Sequence, residues 1–237
     1  MKRMLIAIIF VAFLTVTHAS EPTIHTIASS FVRSVSGSGT GEVIKGTLYF
    51  QAPNTIIFKV TDPISQWMIY KGDSLLIYYP KEKIALRMKN QILTFAPIFQ
   101  VMAGAIPDDL GLPKAGYTLM HKVIKNNLLI TTWDPPAKLK KSVGQTIIGL
   151  ANDHLVLIET HDVKEKMLAR VEYRNYSQFR NIWFPLEMTV TRLQHGVTKI
   201  EKTSYMKPVF NQTLPETVAN FHLPENVTVK DLDHAAK

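Results

Sequence analysis

No cysteine occurs anywhere in this chain of 237 residues. That excludes a disulfide scaffold, thiol chemistry, a Cys-zinc site and lipid attachment at a lipobox. A membrane span is missing as well. The one sustained apolar run, Met4 to Val16, is interrupted only by Thr15, and it falls short of the roughly 20 residues a spanning helix needs. Catalytic signatures are also missing. There is no phosphate-cradling glycine loop before a helix, no metalloprotease His pair at helical spacing and no nucleophile elbow. Low-complexity tracts and repeats of fixed period do not occur either.

What is present begins with an export signal. Lys2 and Arg3 form a basic end, Met4 to Val16 an apolar core, and Thr17-His18-Ala19 places small residues before a cleavage site. Residues 1–20 therefore read as a cleavable signal peptide, and residues 21–237 as a single domain, large enough to bury a core without covalent staples. Without Lys2 and Arg3 the 27 basic residues become 25 against 19 acidic ones, a net charge of +6. The excess is scattered, as at Lys138, Lys140, Lys141, Lys164 and Lys166. It fits a solvated basic surface, or weak attraction to anionic headgroups or an acidic partner. Export and the lack of stacking aromatics beside the lysines argue against nucleic acid.

Most of the chain alternates polar and apolar residues with period two. Strands are expected at Ile24–Val35, Val43–Gln51, Thr55–Thr61, Gln66–Tyr70, Ser74–Tyr79, Ile84–Met88, Tyr117–Lys125 and Leu128–Trp133. Further strands are expected at Val143–Ala151, His154–Thr160, Met167–Tyr176, Trp183–Leu193 and Val197–Val209, with a last short one in the tail. Turn residues separate them, among them Ala52-Pro53-Asn54, Asp62-Pro63 and Lys71-Gly72-Asp73. The pattern predicts a mostly β (α+β) fold, one curved antiparallel sheet of about ten strands. Between Gln91 and Gly116 the period changes. Ile92, Phe95, Ile98, Phe99 and Met102 recur at three- and four-residue spacing, which predicts one or two short helices with an apolar face.

Three groups of residues invite a chemical reading. Ser36 to Gly41 is glycine-rich but lies between strands, which makes it a turn. Glu159, His161 and Asp162 resemble an acid–base or metal cluster, yet in a strand Glu159 and His161 share a face that Asp162 opposes. The triplets at Asn175, Asn211 and Asn226 match the glycosylation pattern, which matters only on a eukaryotic secretory route. The large apolar residues on one strand face admit two readings. Sheet and helix pack into an ordinary core, or they enclose a hollow for an apolar ligand, with Met88, Met102 and Met120 as soft lining.

An ordered set of motifs bears on that choice. It comprises Gly46-Thr47-Leu48-Tyr49-Phe50-Gln51-Ala52-Pro53, then Asp62-Pro63, then Gly72-Asp73-Ser74-Leu75-Leu76-Ile77-Tyr78-Tyr79-Pro80. Asn181-Ile182-Trp183-Phe184-Pro185 and Phe221-His222-Leu223-Pro224-Glu225-Asn226-Val227 follow later. Together they resemble the LolA family of periplasmic outer-membrane lipoprotein carriers and lipoprotein-sorting proteins, over most of residues 21–237. The resemblance implies a strongly curved, unclosed antiparallel β-barrel with lid helices in its hollow. It implies a non-enzymatic, cofactor-free, monomeric carrier in the periplasm of a Gram-negative-type bacterium. Such a carrier takes the acyl chains of lipoproteins, or another lipid, from the inner to the outer membrane. An inner-membrane ABC-type releasing complex and an outer-membrane acceptor would be its partners.

On alternation and this resemblance, the expected lining is Leu48, Phe50, Ile56, Phe58, Val60, Trp67, Ile69, Leu86, Met88, Phe95, Phe99 and Met102. Two features depart from the family. Its arginine before the first motif proline, which ties the lid to the sheet, is here Ala52, and little chain separates the cleavage site from the first strand. The helix at about residues 92–104 would then be the main lid. The alternative is a periplasmic sensor or interaction module of the same fold that binds a regulatory protein or an envelope-stress signal.

Overall fold

The computed structural model describes residues 24–37, 41–72, 74–89, 110–152, 154–179, 182–194 and 196–232. Fourteen strands join in one sheet. They are β1 (Thr26–Ser36), β2 (Glu42–Gln51), β3 (Thr55–Asp62), β4 (Gln66–Lys71), β5 (Ser74–Tyr79), β6 (Ile84–Met88) and β7 (Thr118–Lys125). β8 (Leu128–Asp134), β9 (Thr146–Ala151), β10 (His154–His161), β11 (Met167–Phe179), β12 (Ile182–Gln194), β13 (Val197–Phe210) and β14 (Thr228–Asp231) complete it. The expected strand segments are present, and among the described residues the total is fourteen rather than about ten. β9 starts at Thr146 because Pro136 to Val143 is spent in turns, with Val143 donating its N–H to the Leu139 carbonyl.

Sequence neighbours pair as hairpins except β6 with β7 and β13 with β14. The β7–β8 connection shows why: Asn126 and Asn127 both adopt positive φ, the twist that matches two-residue hairpin turns. The order across the sheet is β14-β6-β5-β4-β3-β2-β1-β13-β12-β11-β10-β9-β8-β7. Thus β1 and β13, near the two ends of the chain, pair at its centre, from Ile27↔Phe210 to Ser36↔Ile200. Pairing is antiparallel except at one edge, where β14 runs parallel to β6. Among the described residues β14 and β7 are the two edges, and they do not pair with each other, so the sheet is unclosed.

The sheet is also strongly curved. A flat sheet would hold β4 and β12, five strand positions apart, about 24 Å from each other. Yet the Arg192 charge on β12 bears on the Tyr70 phenol on β4. Curvature gives the sheet an inner face. There a single apolar cluster runs from Leu75 on β5 through Phe58, Phe50, Phe31, Tyr205, Met188 and Tyr173 to Ile148 and Trp133 on β9 and β8.

A second, smaller cluster lies on the outer face of β3 and β4. Leu214 and, on the short helix α1 (Glu216–Ala219), Val218 pack there against Ile57 and Ile69. Phe221 stacks on Trp67 with ring centroids 5.1 Å apart. β3 is therefore buried on both faces, which accounts for its unbroken Ile56-Ile57-Phe58 run.

Gly46 marks the closest approach between β2 and β3, at the register shift beside Lys45. A Cβ there would stand 2.3 Å from the Lys59 carbonyl oxygen and 2.9 Å from the Val60 Cα. Gly46→Ala must therefore displace backbone. It is expected to lower stability by about 1–3 kcal/mol in denaturant unfolding; a variant as stable as the parent would contradict this packing.

Candidate functional site

The inner face is built by cross-strand pairs, whose side chains stand on the same side of a sheet. Phe58 pairs with Leu48 on one side and Met68 on the other, and Ile56 with Phe50 and Tyr70. Met68 continues to Ile77 and Leu86, and Tyr70 to Leu75 and Met88. Leu48 and Phe50 have no solvent exposure, and Ile56, Phe58 and Val60 are buried with them. Aromatic rings thread the lining edge to face: Phe31 and Phe58 at 5.5 Å, Phe58 and Tyr70 at 6.4 Å, Phe184 and Tyr205 at 5.5 Å. Leu110, Leu112 and Tyr117, from the chain leading into β7, pack against the same cluster.

Of the twelve expected lining residues, Leu48, Phe50, Ile56, Phe58, Val60, Leu86 and Met88 share this inner side of the ladder. Trp67 and Ile69 do not. They pair with Lys59 and Ile57 and belong to the outer cluster under α1, so the inward residues of β4 are Met68 and Tyr70. The expectation was one residue out of phase because Trp67-Met68-Ile69-Tyr70 is apolar throughout and its alternation carries no phase. Phe95, Phe99 and Met102, with the expected helix at about 92–104, lie outside the described residues. Met120 is exposed on β7.

Most of the lining had not been anticipated. Ile27 and Phe31 on β1, and Tyr173, Met188, Val190 and Tyr205 on β11 to β13, are buried on the inner face. Their signal is there in the sequence: Val171 and Tyr173, or Met188 and Val190, are spaced two apart within polar neighbours.

Polar groups also face inward. Arg33 follows Phe31 by two residues and stands opposite Thr203, whose hydroxyl accepts from its Nε at 3.3 Å. Its guanidinium lies over the Phe58 ring at 5.5 Å and the Phe31 ring at 5.9 Å. Arg192 reaches Glu201 at 2.8 Å, and Lys199 reaches the same carboxylate at 4.0 Å. Burial pushes the Tyr70 phenol above its ordinary pKa, and the Arg33 and Arg192 charges pull it partly back. Burial pushes Tyr205 up to about 12 against the pull of Arg33. Tyr173 is raised further still, first by burial and then by Tyr205 and Tyr176, and its hydroxyl has no partner among the described residues.

The Glu159 group is structural. Glu159 holds His161 at 2.9 Å and Arg170 at 2.7 Å. Asp162 accepts the backbone N–H groups of Lys166 and Lys164, which hold its carboxyl below the usual range and close the turn. Among the described residues no group of three or more His, Asp or Glu is placed to hold a metal ion.

These features define a class: an unclosed, curved β-sheet protein whose inner face carries one apolar cluster spanning β5 to β8. Comparison with solved structures places this architecture. A domain named for outer-membrane lipoprotein sorting, from Vibrio parahaemolyticus, matches with a TM-score of 0.61 at 14% identity, over 82% of this chain and 89% of that one. A DUF1329 family protein from Desulfovibrio piger matches at 0.57, with 14% identity over 82% and 89%. A LolA superfamily protein from Nitrosomonas europaea matches at 0.56, with 14% identity over 81% and 89%. No family model matches the sequence, and no curated protein does. The chain has the LolA-like fold, as its motifs led us to expect.

The buried tyrosines carry a pH consequence. Unfolded tyrosines ionise near 10.0, whereas folded Tyr205 stays neutral to about 12. A raised folded-state value means that the full stability is present below pH 10 and is lost as the pH climbs toward the folded value. Unfolding free energy is therefore expected to fall between about pH 10 and pH 12, and Tyr205→Phe should flatten that fall. Tyr173→Phe should cost nothing at neutral pH, since it removes an unpaired buried hydroxyl. A pH-independent stability over that range would contradict the burial.

Proposed function

We propose that this protein is an exported, non-enzymatic carrier of acyl chains. It takes the chains of lipoproteins, or of another lipid, onto its apolar inner face and moves them through the periplasm from the inner toward the outer membrane. The observation that carries the reading is the inner face itself. Aromatic and aliphatic side chains line it from β5 to β8 without a break, on a sheet that leaves one side unclosed. An acyl anchor in water loses about 0.8 kcal/mol for each exposed methylene. A long flexible apolar wall hides many methylenes while holding none of them in a rigid polar site, which favours both capture and release. The LolA-like fold and the signal peptide over residues 1–20 support the same reading. With no cysteine to lipidate, the processed protein would be tethered to neither membrane.

A second reading draws on β7. All eight of its residues are exposed, Ile124 to 75%, and the strand is a free edge. Such an edge can take up a strand from a regulatory protein, as a sensor or interaction module would require.

Native mass spectrometry of protein taken from the periplasm separates the two. Acyl lipid or lipoprotein bound one to one is the expected result, whereas ligand-free protein with a regulator attached supports the sensor. Phe58→Asp, in a variant whose β circular dichroism is retained, is expected to lower acyl occupancy about tenfold or more, because it sets a charge in the middle of the lining. Undiminished occupancy in that folded variant would remove Phe58 from the binding face.

A further inference from the structure

Cations outnumber carboxylates on the central strands of the inner face, even with Glu42 of β2, which stands opposite Val35 on the same side. β1, β13 and β12 are adjacent at the centre of the sheet. On their inner side stand three cations, Arg33, Lys199 and Arg192, and one carboxylate, Glu201. Arg192 and Lys199 are directly opposite each other in the register, a pairing of like charges that is unfavourable by itself. Glu201 answers both of them. Arg33 is left over. Its Nε is taken by Thr203, and its terminal nitrogens meet no carboxylate among the described residues. Two phenyl rings offer it only a cation–π surface. Other charged residues of these strands, such as Glu187 and Lys202, fall on the opposite side by alternation.

A guanidinium held over aromatic rings and partly out of water is costly unless an anion completes it. Its planar fork suits a carboxylate or phosphate, and the apolar surroundings strengthen such a pair. Thr203, buried opposite Arg33, fixes the fork's direction. The apolar lining begins next to it, at Phe31 and Phe58.

We propose that Arg33, backed by Arg192 and Lys199, forms a subsite for the anionic end of the cargo: a carboxylate or phosphate carried on an acyl chain that runs along the lining from Phe58. The inference rests on the acyl-carrier reading and adds to it the charge of the cargo.

Competition against a fluorescent acyl probe tests it on the processed full-length protein. The competitors are oleate, phosphatidylglycerol, uncharged oleyl alcohol and inorganic phosphate alone. The expected result is that oleate or phosphatidylglycerol displaces the probe at about tenfold lower concentration than oleyl alcohol, the worth of one charge-assisted contact. Which of the two does so identifies the source of the anion.

Arg33→Gln should bring the anionic competitor to within about twofold of the alcohol while the alcohol itself is unchanged. If Arg33→Gln does not fold, Lys199→Gln, at a 44% exposed side chain, is expected to narrow the same preference. Equal displacement by charged and uncharged chains, or a loss in Arg33→Gln that is the same for both, would overturn the subsite. So would inorganic phosphate competing as well as the anionic lipids. If no acyl compound binds at all, the carrier reading fails first, a result distinct from binding without charge preference.

Discussion

One constraint governs this molecule: a single face of a fourteen-stranded sheet must stay apolar across nearly its whole width while the sheet remains unclosed. A closed barrel would remove both edges and fill its interior with its own side chains. Here the two edges stay apart. The chain from Met88 to Thr118 leads from β6, beside one edge, to β7, which is the other. Its described portion lays Leu110, Leu112 and Tyr117 onto the inner cluster. The fold thus keeps a broad apolar surface as part of its architecture.

A wide curved sheet also needs support from outside. The C-terminal segment provides it over β3 to β5, where Leu214, Val218 and Phe221 cover Ile57, Ile69 and Trp67. β14 then pairs with β6 and extends that half of the sheet. The stretch of sheet that carries the Leu48–Phe58–Met68 lining is thereby packed on both sides. β7 at the far edge has no such cover among the described residues. Among the described residues the sheet is packed on both faces where its lining is richest and exposed along β7.

Within the apolar face, polarity is concentrated. Arg33, Arg192, Lys199 and Glu201 gather on three central strands, and the charges of Arg33, Arg192 and Glu201 bear on Tyr70 from across the curve. A purely greasy surface would bind any chain. A local excess of positive charge gives that surface a direction, because it sets one end of the lining apart from the other.

Period-two alternation and turn residues were enough to place nearly every strand, including β7, β8 and the last short strand in the tail. Ordered motifs around Gly46 to Pro80 were enough to identify the LolA-like fold. The inward choice at Leu48, Phe50, Ile56, Phe58 and Val60 was legible because β2 alternates clearly and hairpin pairing passes its phase to β3. The choice at Trp67 and Ile69 was not, since β4 is apolar on both faces and only the packing of α1 decides which face is outer. The pairing of β1 with β13 is likewise set by tertiary structure. It joins residues some 170 positions apart, and no local periodicity encodes such a contact. Through it Arg33 comes beside Thr203, and two separately unremarkable stretches of sequence become one charged, partly apolar site.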